Sequence, residues 1–179
     1  MGAIMKISKQ GLDLIKTFEG LRLQAYMPTP VDVPTIGYGH TKTTKLGMVI
    51  TKAGADALLV HDLAWVEKAV NKEVKVALTQ PQYDALCSFV YNLGATNFRS
   101  STLLKRINAG RYSDAANELL RWDKQGKKVL KGLTRRREAE RELFISEPSV
   151  TTLTGPQGPT GGLLAALMAL LAALLKNRS

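Results

Sequence analysis

The sequence predicts an α+β fold whose sheet is confined to one small lobe. Three observations carry that prediction. Apolar residues recur at helical spacing from Ile7 to Phe18, and again from Thr51 to about residue 146. Between these stretches, residues 21–48 hold Pro28, Pro30 and Pro34, followed by the alternating run Thr35-Ile36-Gly37-Tyr38-Gly39-His40. Prolines, glycines and period-two alternation suit a hairpin or meander and oppose a helix. Aromatic residues make up only 6% of the chain while Leu and Ala are abundant, which favours helix elsewhere.

The element ends follow in order. Ser8 is the expected N-cap of a first helix, with Ile7, Leu12, Ile15 and Phe18 as its apolar stripe and Gly20 as its stop. Thr51 is expected to cap one long helix through Leu58, Val60, Leu63, Trp65, Val66 and Val70. Thr79 with Pro81 opens another, which Gly94 closes. Ser101 and Ser113 are expected caps of two shorter helices, and Gly110 stands where a C-terminal glycine belongs. A last amphipathic helix is expected over residues 134–145. The composition then changes. A compact domain over 1–148 is followed by a Gly/Pro/Thr-rich linker at 149–162 and an apolar helical tail at 163–179. The tail's apolar run, Leu163 to Leu175, is shorter than the ~20 residues that span a bilayer. Its seven-residue leucine repeat leaves three readings: an interfacial membrane helix, self-association of an otherwise monomeric chain, or docking on the chain's own surface.

A formal net charge of +10 points to an anionic partner: nucleic acid, an acidic membrane face or an acidic envelope polymer. Residues 121–141 hold nine basic groups against three acids. Few aromatics interleave with them, so there is no stacking platform for nucleic acid, and none is expected as a partner. The single cysteine, Cys87, excludes an intrachain disulfide and lies in an apolar run that suits a small core residue. His40 and His61 have no neighbouring Cys or His, so no metal site or cofactor is indicated.

The segment that carries chemistry is Phe18-Glu19-Gly20-Leu21-Arg22-Leu23-Gln24-Ala25-Tyr26, then Pro34-Thr35-Ile36-Gly37-Tyr38-Gly39-His40-Thr41. Glu19 falls at the C-terminal end of a helix, where the partial negative charge of the peptide dipoles disfavours an ionised carboxyl. A carboxyl kept protonated there suits a general acid. A solvated helix-end glutamate paired with Arg22 is the alternative.

EGLRLQAY followed by TIGYGHT resembles the catalytic signature of the phage-type lysozymes, the T-even and lambdoid phage endolysins of glycoside hydrolase family 24. Gln82 to Gly94 resembles that family's central helix, and Gly132 to Glu140 (GLTRRREAE) its terminal helix, so the likeness runs over about residues 6–146. The resemblance implies a small sheet lobe facing a helical lobe across a cleft. It also implies hydrolysis of the β-1,4 bond between N-acetylmuramic acid and N-acetylglucosamine of peptidoglycan, leading to host lysis. By position Glu19 matches the general acid and Thr35 the threonine that places the attacking water.

The chain departs from the pattern at one point. The family's aspartate, nine residues after the glutamate, would fall at Pro28, and the loop to Thr35 is one residue longer than usual. Asp32 is the only carboxylate left in that loop. It is the expected base or electrostatic stabiliser, with a turn-forming aspartate as the alternative. One of Arg135, Arg136 and Arg137 is expected beside Glu19, and His40 is expected to order the sheet turn. Tyr26 is expected behind the site or in the cleft wall. The basic stretch and the tail would favour an anionic membrane or outer-membrane lipid. The opening residues 1–9 lack the apolar run of a signal peptide, so synthesis in the host cytoplasm and passage by another agent are expected. A wall-binding or membrane-permeabilising protein without strong catalysis is the rival expectation.

Overall fold

The computed structural model describes residues 4–29 and 31–147, and the expectations for the linker and tail lie outside them. The chain divides into two units at the 148/149 boundary, and the first is described here. Helix α1 (Lys9–Glu19) leads into the hairpin β1 (Arg22–Tyr26) and β2 (Thr35–Gly37). Five helices follow: α2 (Lys52–Asp62), α3 (Ala64–Glu73), α4 (Gln80–Ser100), α5 (Thr102–Asn108) and α6 (Tyr112–Leu119). A two-residue-stranded hairpin, β3 (Lys124–Gln125) and β4 (Lys128–Val129), precedes α7 (Lys131–Ile145). The mixed helical and small-sheet architecture agrees with the predicted α+β class, but the sheet is not confined to one lobe: the second hairpin, β3–β4, lies between α6 and α7.

The small lobe is irregular by design of its sequence. Strands β1 and β2 are antiparallel, pairing Arg22 with Gly37 and Tyr26 with Thr35, so the register slips between these pairs. The far side of β1 is covered by residues 48–50, through Ala25 N–H to Met48 C=O at 2.9 Å and Ile50 N–H to Leu23 C=O at 2.9 Å. Ile36 and His40 exchange backbone hydrogen bonds at 2.9 Å each way, closing the turn after β2.

The helical lobe packs around the first half of α4. Leu86, Cys87, Phe89 and Val90 are buried there with Ile15, Leu63, Val66, Phe98, Leu103, Ile107, Leu119 and Phe144. Cys87 is thus the core residue its neighbours suggested, and burial pushes its thiol well above the ordinary range. Phe89 meets Phe98 and Trp122 edge-on, with centroids 6.3 and 5.5 Å away.

Four boundaries differ from expectation. The single long helix from Thr51 is two, because the chain breaks at Leu63, beside the inward-turned Asp62. Helix α4 carries a kink at Gly94 (φ 83°, ψ 157°), a conformation natural only to glycine, and a further helical turn runs on to Ser100. Ser113 lies within the first turn of α6, whose N-cap is Arg111 with no side-chain cap bond. Helix α7 starts at Lys131, three residues before the expected 134.

Two contacts seat α1. Ser8 caps it, its hydroxyl accepting from the Gln10 and Gly11 amides, while the buried Asp84 of α4 accepts from the Ser8 amide at 2.9 Å and from the Ser8 hydroxyl. This brings α1 so close to α4 that a Cβ on Gly11 would stand 2.7 Å from Ile7 Cγ1 and 2.8 Å from Asp84 Cβ. Gly11→Ala should therefore lower stability. The crowding costs about 1–3 kcal/mol, more than the ~1 kcal/mol that helix propensity returns, and a lower thermal midpoint in calorimetry checks it.

Lys16 of α1 meets Asp56 of α2 at 2.9 Å. Hydrogen bonding to Lys16 holds the Asp56 carboxyl below its ordinary value. The contribution is present above the unfolded carboxyl pKa of about 4 and is lost as pH falls through the lower folded value. Lys16→Met should flatten the acid limb of the stability-versus-pH curve, and also the alkaline limb above about 10.5, because Asp56 holds the Lys16 ammonium above its ordinary value.

Candidate active site

Glu19 is the last residue of α1, where Gly20 turns the chain with φ 70°. It faces a cleft of about 300 Å³ lined by Glu19, Gly39, Thr41, Lys42, Asp62, Trp65, Tyr91 and Asn92. The cleft wall therefore draws on α1, the turn after β2, α2, α3 and α4. Gly39 has φ 94°, and a Cβ there would stand 3.9 Å from Glu19 Oε2 and 3.8 Å from the Tyr91 hydroxyl. These are ordinary contact distances, so a side chain at 39 would act by straining the backbone.

Among the described residues Glu19 has one partner, Arg136 rather than Arg22. Arg136 Nη1 donates to Glu19 Oε1 at 2.7 Å. Oxygen Oε2 makes no hydrogen bond among the described residues. Arg136 is itself fixed on every edge of its guanidinium. Its Nε donates to Glu140 Oε1 at 3.2 Å, and its Nη2 to the Ser88 carbonyl at 3.2 Å and hydroxyl at 3.4 Å. Ser88 in turn donates to Glu140 Oε1 at 2.7 Å. The guanidinium also lies over the Phe18 ring, 5.6 Å from its centroid.

Arg137 and Glu140 complete the buried cluster, both with no exposed surface. Arg137 Nη1 approaches Glu140 Oε2 at 3.3 Å, and its plane lies 5.2 Å from the Phe89 centroid. Burial pushes the Arg137 guanidinium down to about 10, still charged near neutrality. Burial pushes the Glu140 carboxyl up, and the two guanidiniums oppose that. Two of the nine basic groups of residues 121–141 are thus internal. Arg135 alone of the triplet is exposed.

Arg137 also settles an amide. Its Nη2 donates to Asn92 Oδ1 at 2.8 Å. Arginine only donates, so the oxygen of Asn92 must face it, leaving the Nδ2 donor for the cleft.

The other predicted residues divide. His40 is buried, its Nδ1 2.7 Å from Asp62 and its Nε2 2.8 Å from the Thr43 hydroxyl, so it orders the turn as expected. Thr35 is buried at the start of β2, its hydroxyl donating to the Val33 carbonyl at 3.0 Å. Asp32 is exposed, and its amide closes a turn onto the Thr29 carbonyl at 3.1 Å. Neither Thr35 nor Asp32 is among the residues lining the cleft. Tyr26 also stands apart from the cleft, 39% exposed under Arg22. Sequence reasoning missed Trp65, Lys42 and Asn92 as cleft residues, and Ser88 and Glu140 as the frame of Arg136. The only signal for the last was Arg136-x-x-x-Glu140, one helical turn apart.

A carboxyl at a helix end, aimed into a cleft between a small sheet and a helical lobe, defines a lysozyme-like glycoside hydrolase. The comparisons agree. The phage lysozyme family model matches residues 16–140. The endolysin of Acyrthosiphon pisum secondary endosymbiont phage 1 is 50% identical over 146 residues, covering 79% of this chain and 99% of that one. The endolysin of Salmonella phage P22 is 44% identical over 148 residues, covering 80% and 100%. The muramidase domain of SpmX from Asticaccaulis excentricus superposes with a TM-score of 0.75 at 44% identity, covering 79% and 99%. The chain belongs to the phage lysozyme family.

Replacing Arg136 tests the frame around the acid. Arg136→Ala should reduce wall lysis at least tenfold and lower stability, because it leaves the buried Glu140 with Arg137 as its one remaining guanidinium among the described residues. Arg136→Lys should not restore activity, since one ammonium cannot reach Glu19, Ser88 and Glu140 together. Turbidity loss on purified wall, with urea unfolding alongside, measures both.

Proposed function

We propose that this chain is an endolysin that cleaves the β-1,4 bond between N-acetylmuramic acid and N-acetylglucosamine in peptidoglycan, with Glu19 as general acid. The observation that carries the reading is the placing of Glu19: one oxygen held by Arg136 at 2.7 Å and the other left facing the cleft. A proton on Oε2 passes to the glycosidic oxygen as the C–O bond breaks. Water then adds at the sugar carbon and gives up its own proton.

In this proposal Asp32 accepts that proton or stabilises the developing positive charge, and Thr35 orders the water. Their support is positional: both lie on the hairpin that follows the acid. An inverting route needs a second carboxyl ~6.5–9.5 Å from the first. The exposed turn at Asp32 favours a second reading, in which Asp32 shapes the loop alone and the water is ordered by Thr35 and backbone groups. The exposed basic groups would draw the enzyme to an anionic envelope, an attraction that weakens with salt.

Glu19→Gln should lose 10²–10⁴-fold in rate on purified peptidoglycan, the range a general acid supplies, while keeping its fold by circular dichroism. Undiminished lysis would remove Glu19 from the mechanism. Asp32→Asn should lose at least tenfold if Asp32 acts chemically, whereas near-wild-type lysis assigns it to the turn.

A further inference from the structure

We propose that Trp65 and Lys42 form a binding subsite in the cleft wall for a sugar residue bearing a carboxylate, which on peptidoglycan is the muramyl unit or its stem peptide. The inference rests on the muramidase reading above and adds the residues that would select the acidic substrate.

Trp65 opens α3 and is 39% exposed, although it lines the same cleft as Glu19. An exposed tryptophan on a cleft wall offers a broad flat apolar face, of the kind on which the C–H face of a pyranose packs. Its indole N–H makes no hydrogen bond among the described residues, so a donor stands at the ring edge for a sugar oxygen. The second tryptophan, Trp122, is instead half-buried against Phe89.

Lys42 supplies the charge. Each acid of the cleft wall has one oxygen engaged, Glu19 by Arg136 and Asp62 by His40. Lys16 and Lys52 both meet Asp56, whereas Lys42 meets no carboxylate among the described residues. The cleft thus presents one uncommitted ammonium beside one uncommitted aromatic face, with the Asn92 amide donor on the same wall. Alongside the acceptors Glu19 Oε2 and Asp62 Oδ1, the wall thus offers an ammonium, an indole N–H and an amide N–H, which fits a ligand that brings acceptors and a negative charge to Lys42.

Equilibrium binding tests this in the Glu19→Gln background, where no turnover confuses the titration. Three soluble saccharides serve as probes: neutral chitotetraose, a peptide-free muramyl tetrasaccharide with free lactyl carboxylates, and the same tetrasaccharide with its stem peptides. Adding Lys42→Gln should weaken an acidic ligand about tenfold, consistent with losing one charge-assisted contact, and leave chitotetraose unchanged. Selective loss on the peptide-free ligand assigns the lactyl carboxylate, and selective loss on the peptide-bearing ligand assigns the stem. Adding Trp65→Ala should weaken all three about tenfold or more. An equal effect of Lys42→Gln on neutral and acidic ligands, or no effect of either change, overturns the subsite. Lysis of purified wall by the wild-type chain is a separate readout, so failure of the subsite and failure of the muramidase reading are distinguishable.

Discussion

The geometry of the site depends on one guanidinium. Arg136 joins three elements that are distant in sequence: α1 through Glu19, α4 through Ser88, and its own helix through Glu140. A planar fork with five donors meets these partners at once, which a flexible ammonium would not do. A glutamate at a frayed helix end would otherwise sample many rotamers. Here one oxygen is pinned and the other is left to the cleft.

This arrangement is not the most stable way to fill the space between α4 and α7. Burying Arg136, Arg137 and Glu140 forfeits their hydration, and apolar residues of similar volume would often hold the helices as well or better. Arg137 Nε and Nη1 and Glu140 Oε2 even lack aligned hydrogen-bond partners. The cluster makes sense through what it positions. Arg136 fixes the acid, and Arg137 orients the Asn92 amide so that its donor faces the ligand side. The mixed charge of the terminal helix is thus inward machinery on one face and solvated surface on the other.

Much of this was legible in the sequence, for local reasons. Ser8, Thr51, Thr79 and Ser101 marked helix starts because a side-chain oxygen must satisfy an orphan amide nearby. Gly94 marked a break because its backbone conformation excludes other residues. Glu19 was legible as a cleft residue through its setting, EGLRLQAY before TIGYGHT. What stayed hidden depended on partners far along the chain. Nothing near Thr51 announces that the helix will break at Leu63. The triplet Arg135-Arg136-Arg137 gives no local sign that two of its members are internal. The short hairpin at Lys124–Val129 holds only two residues per strand, too few for alternation to register. Trp65 sat in an apolar stripe that reads as core, and only the cleft beside it shows otherwise.

The pairing of Glu19 with Arg136 spans 117 positions of sequence. A chain is made from its N-terminus, so Glu19 emerges 117 positions before its anchor. Until α7 has been synthesised and has docked on α4, the small lobe and α1 can exist without an oriented acid. Competence for cleavage therefore arrives with completion of the domain rather than growing gradually with chain length. A nascent or prematurely ended product lacking the final helix would carry the EGLRLQAY signature and remain inert, so presence of the signature in a fragment does not by itself denote a working enzyme.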